Sequence, residues 1–141
     1  VRVPVLTSSL MQVSTVNTLL PDSKKAGILT ISKSTLSDAH LRAANVPSDT
    51  PIGTTEDGAE FSRVILNDEL QLNIELARMD NINAALKMKT DYPELGAIIL
   101  ECTNMSPYAE AIQEAVELPV FSIVNLVEWL HAGLKHKRFS S

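Results

Sequence analysis

"GAIILECTNMSPYAEAIQEA", Gly96–Ala115, decides the fold. Gly96 to Glu101 is a short aliphatic run of strand length, and Ser106 with Pro107 next to it has the form of a helix start. A strand that runs into a helix is half of a strand-helix-strand unit. The rest of the chain repeats the alternation, with further candidate strands at Val3–Thr7, Ala26–Ile31, Pro119–Ile123 and, more weakly, Thr50–Thr54. Leu72, Leu76, Met79, Ile82 and Leu86 recur at spacings of three and four, which predicts a helix from about Leu70 to Thr90 with that stripe on its apolar face. It should end near Tyr92-Pro93. Val124, Val127, Leu130 and Leu134 predict a second such helix, and Thr35 or Ser37 would cap a third over Asp38–Ala44. The strands lack clean polar alternation, so both faces of the sheet should be covered. The expected class is α/β, a parallel sheet flanked by helices.

Composition narrows the function. The chain has 141 residues, enough for one core, and a net charge of −5. Its basic residues are scattered except in the tail Lys135, His136, Lys137, Arg138, so neither a nucleic acid nor an anionic membrane is an expected partner. No stretch is long and apolar enough for a membrane span, and no signal core opens the sequence. The single cysteine fits a reducing cytoplasm, which leaves the sequon Asn104-Met105-Ser106 as a chance match.

The chain also echoes itself. "VPVLTSSLMQVSTVNTLL" from Val3 resembles "LPVFSIVNLVEWLHAGL" from Leu118: Pro, Val, an apolar residue and a hydroxyl residue, followed by a helical stripe. The second copy is preceded by a strand, Cys102 and a helix, whereas the first opens at Val1 with no initiator methionine. The expectation is a fragment or processed chain that lacks the first copy's preceding segment.

In an open parallel sheet, ligands bind beyond the carboxyl ends of the strands. Cys102 falls at such an end, followed by Thr103 and Asn104. A helix N-terminus there would lower the thiol pKa and make Cys102 a base or nucleophile; the same position also suits a small buried hydrophobe. Other strand ends bring hydroxyls: Thr7, Ser8 and Ser9 after the first, and Thr30, Ser32, Ser34 and Thr35 after the second. Together with Cys102 they would hold a small carboxylate or amino acid without a metal or organic cofactor. There is no glycine-rich phosphate loop, and His40, His131 and His136 lack zinc-site spacing. Glu56, Asp57, Glu60, Asp68 and Glu69 read as a solvated face. Glu101 would point away from Cys102 if the strand ran that far, making it a weaker candidate acid or base.

"AIILECTNMSPYAEAIQEAVELPVFSIVNLVEW", with "VPVLTSSLMQV" and "AGILTISKSTLSDAHL", resembles the aspartate/glutamate racemase superfamily over the C-terminal part of that family's length. Cys102-Thr103 carries most of the likeness. The resemblance implies two pseudo-symmetric α/β halves with the site between them, one catalytic cysteine from each half, no cofactor, and a dimer. On that pattern residues 1–23 are a remnant of the first half, 24–117 form the second, and 118–141 return to the first. Cys102 becomes one of two thiol acid/bases at Cα; Thr103, Asn104 and Ser34 contact the substrate, and Ser8 and Ser9 line the cleft. The sequence has no second cysteine. Three functions stay open: an amino-acid racemase or epimerase, a one-thiol decarboxylase or cis-trans isomerase of dicarboxylic acids, and a non-catalytic acid-binding chain. An unpaired sheet edge would favour association, and a homodimer is the simplest form.

Overall fold

The computed structural model describes residues 2–137; Val1 and Arg138 of the basic tail lie outside them. Four parallel strands form one sheet in the order β2-β1-β3-β4, where β1 is Lys25–Thr30, β2 Ile52–Thr54, β3 Leu95–Leu100 and β4 Val120–Phe121. Ile28 lies opposite Ile52 and Ile99, and Ile99 opposite Phe121, which fixes the register across the sheet. The α/β class with a parallel sheet flanked by helices is what the strand-helix alternation predicts.

Both faces are covered, as the unbroken apolar strands require. Leu29, Ile98 and Leu100 point to one face, where α3 (Phe61–Leu66), α4 (Ile74–Asp91) and α5 (Ala109–Val116) supply Phe61, Ala77, Met88, Ile112 and Val116. Ala26, Ile28, Ala97 and Ile99 point to the other, against Val13 and Val16 of α1 (Gln12–Asn17) and Val46, which follows α2 (Asp38–Ala43). Ser37 caps α2 through the His40 N–H, one of the two cap residues expected. Asn73 caps α4 by accepting from the Leu76 N–H, so this helix starts later than its apolar pattern predicts.

Three expectations fail. Val3–Thr7 is not a strand: among the described residues it pairs with no neighbour, and Val3 and Val5 are exposed. The hydrophobic run alone cannot supply the ladder that a strand's backbone groups need. The stripe on α4 is turned outward, with Leu76, Met79 and Leu86 exposed, while the buried face is Ala77, Asn81, Ala84, Ala85 and Met88. Small residues let α4 approach the sheet. A Cβ on Gly53 would lie 2.1 Å from Met88 Cγ, so glycine in β2 is the counterpart of that approach. On α6 (Ile123–Leu134), likewise, Leu126 is buried whereas Val124, Val127, Trp129 and Leu134 are exposed.

The third correction concerns acidic residues. Glu60 is buried, accepting from the Asn73 N–H at 2.8 Å and from Arg63 at 2.8 Å. Glu56 is tied down as described below, so only part of the acidic group is a solvated face.

Candidate functional site

Parallel strands deliver their carboxyl ends to one edge, and the functional candidates gather there. β3 stops at Leu100, where the Glu101 N–H still donates to Leu29 O at 2.9 Å. Beyond that point the two-residue alternation of a strand no longer applies. Glu101 and Cys102 therefore line the same cleft, of about 330 Å³, together with Thr7, Ser8, Ser9, Ile31, Thr103 and Ile123. Ser8, Ser9, Cys102 and Thr103, all sequence candidates, are thus brought together. Asn104 is exposed on the 3-10 segment Thr103–Tyr108 and does not line the cleft.

The first wall comes from residues 7 to 9. Ser8 Oγ accepts from the Leu10 N–H at 3.2 Å and starts a 3-10 turn over Ser9–Met11. Gln12 Nε2 donates to Ser9 Oγ at 3.1 Å and to Ser122 O at 3.0 Å. That amide joins this wall to the start of α6, which carries Ile123.

Cys102 is half-buried against the core. Burial pushes its thiol above the ordinary value, the N–H of Asn104 pulls it back, the charge of Glu101 adds to the rise, and the N–H of Met105 opposes it. The expected lowering is overturned. A 3-10 segment follows instead of a long α-helix, and desolvation with a carboxylate next door outweighs two N–H dipoles.

Glu101 is held from one side. Thr30 Oγ1, buried in β1, donates to Glu101 Oε2 at 2.9 Å, so Thr30 positions a cleft residue from behind. On the far side of Glu101 a trough of about 320 Å³ opens, lined by Leu10, Leu36, His40, Ala43 and Ala44 and sharing Thr7, Ser8 and Glu101 with the cleft.

Ser32 and Ser34 are engaged by an internal carboxylate. Ser32 Oγ donates to Glu56 Oε1 at 2.8 Å and Ser34 Oγ to the same oxygen at 2.5 Å. Thr54 Oγ1 and the Lys33 N–H donate to Oε2 at 3.2 and 3.0 Å. Ser34 foremost, then Ser32 and Thr54, lower the Glu56 carboxyl to about 2 against the rise that burial causes. The loop after β1 thus closes around a side chain from the loop after β2. The sequence holds one cue that went unused: Thr54-Thr55-Glu56 and Ser32-Lys33-Ser34 follow adjacent parallel strands and must meet. Ile31 and Ile123, apolar cleft walls, gave no such cue.

Among the described residues no cluster of three or more His, Cys, Asp or Glu side chains is placed to hold a metal ion, and no helix is long and apolar enough to cross a membrane.

No protein-family model matches the chain. A stretch of 41 residues, 29% of the chain, is 40% identical to dimethylsulfoniopropionate lyase 5 of Emiliania huxleyi (strain CCMP1516). The match spans 8% of that protein's length, so this chain is similar to a short part of a much longer lyase.

Proposed function

We propose that this chain supplies a cysteine acid/base to a cofactor-independent site that acts on a small amino acid or carboxylic acid at the carbon next to the carboxylate. The observation that supports this most is the placement of Cys102 at the carboxyl end of β3, in a cleft whose other walls carry the hydroxyls of Thr7, Ser8 and Thr103. Those hydroxyls suit a carboxylate. In the thiolate form, Cys102 takes the Cα proton and the C–H electrons pass into the substrate carboxylate as an enediolate; returning a proton to Cα completes the cycle. Return to the opposite face inverts the centre, which is racemisation or epimerisation. The chain has one cysteine, so the opposite face is served by another group.

The similarity to a lyase favours a second reading with the same first step. Here the carbanion electrons form a C=C bond as a β-substituent leaves with its bonding pair, and no second thiol is needed. The two separate in one experiment. Alanine, aspartate, glutamate and β-substituted propionates are incubated with the chain in deuterium oxide, and with Cys102→Ser beside it. Cα deuteration with inversion supports the racemase, whereas an unsaturated acid supports the lyase. Absence of both, or activity equal in Cys102→Ser, refutes proton transfer by Cys102.

A further inference from the structure

The two edges of the sheet are finished differently. At β2 the Ile28 N–H donates to Pro51 O, so the alternation of a strand turns the Ile52 carbonyl away from β1. Lys33 Nζ at 3.1 Å and Tyr92 Oη at 3.5 Å donate to that carbonyl and close the edge. At β4 the Ile98 N–H donates to Pro119 O, which turns both backbone groups of Val120 outward in the same way. Among the described residues nothing bonds to either group. A groove of about 1070 Å³ runs along this open edge, bordered by every residue from Leu118 to Ser122. Glu110 and Glu114 of α5, with Glu117 after it, make one wall acidic, and none of the three pairs with a basic side chain among the described residues.

The chain also holds a strand sequence without a sheet. Val3–Thr7 has the length of the open edge, shares its Pro-Val sequence and has no ladder partner. In an added strand the N–H groups of Val3, Val5 and Thr7 face the ladder, while Pro4, which has none, falls where the backbone is directed to solvent. A proline there also stops a further strand from adding. Arg2 brings a cation to the acidic wall. Leu6 lines an apolar pocket with Phe121 and Asn125, both of which border the groove, so the segment leaves the body of the protein at the groove's rim.

We infer that the β4 edge receives Val3–Thr7 of a second copy, and that two copies meeting rim to rim exchange these segments as a symmetric dimer. Each copy's unpaired strand then satisfies Val120 of the other, which accounts for exposed Val3 and Val5 in a segment of strand composition.

The test is amide hydrogen exchange of the full chain, followed residue by residue by NMR as concentration rises from micromolar to millimolar, with sedimentation alongside. The amides of Val5 and Val120 should gain protection together as the dimer forms. Val5→Pro removes one ladder donor from a segment that is exposed in the single chain. It should raise the dissociation constant about tenfold, the scale of one hydrogen bond, and return Val120 toward the monomer's exchange rate. Unchanged protection of Ile98 and Ile99 in that variant shows that the sheet is intact. A monomer at every concentration would overturn the inference. So would a dimer in which Val120 stays unprotected, as contact through the outer face of α6 alone would give. Protection of Val120 that does not depend on concentration, or a dimer unaffected by Val5→Pro, would overturn it equally.

Discussion

Removing the Glu56 carboxylate gives a measurable, pH-dependent loss of stability. Its carboxyl titrates at about 2 in the folded chain against 4.5 when unperturbed. That difference has an upper limit of about 3 kcal/mol, and because the group is half-buried at the rim of the sheet, solvent screening reduces it to about 1–2 kcal/mol. The folded value is depressed, so the contribution is complete above pH 4.5 and declines as pH falls toward 2. The Glu56→Gln chain keeps the shape and loses the charge. Urea denaturation of both chains at pH 7 and at pH 3 should show a gap of about 1–2 kcal/mol that falls by about half at the lower pH. A gap that is the same at both pH values, or none at pH 7, would refute the assignment of Glu56 as the anion around which the loops after β1 and β2 close.

Two further outcomes are expected. Glu101→Gln removes a charge that raises the Cys102 thiol, so the pH profile for alkylation by iodoacetamide should move to lower pH, and an unmoved profile would mean that burial alone sets the thiol. Val124, Val127 and Leu134 are exposed on one face of α6, the helix that follows the short edge strand β4, and we expect this face to self-associate; sedimentation at micromolar concentration should show Val127→Lys shifted toward monomer, and a monomer in both chains would remove the expectation.

The sheet was legible because Ala26–Leu29 of β1 and the whole of β3 are continuous apolar runs of strand length. The helix faces were not. Counting large aliphatic residues on α4 picks out Leu76, Met79 and Leu86, but contact with a sheet rewards closeness, and Ala77, Ala84 and Ala85 provide it. The cleft was half legible: strand ends announce Cys102 and Ser8, because topology alone carries them to one edge. The state of the thiol was not, since it depends on burial and on where Glu101 turns after β3 stops. Glu56 was missed because an acidic residue in a loop does not by itself show whether it is anchored or solvated; the cue lies in the hydroxyl residues at the ends of two neighbouring strands. Only the pairing of β1 with β2 brings its five donors within reach: Ser32, Lys33, both groups of Ser34, and Thr54.

The Gln12 amide, which reaches the backbone of Ser122 across 110 positions of sequence, sets a timing for the cleft. One wall is made near the start of the chain, one near residue 102 and one at Ile123. During synthesis the sheet can assemble as β1, β2 and β3 emerge, yet the cleft remains unformed until α6 has left the ribosome and Gln12 finds its acceptor. Loop-closure entropy places such a contact among the last to form. Until then Cys102 stands without its Ile123 wall, and a nascent chain would present to its surroundings a thiol that the finished one keeps half covered.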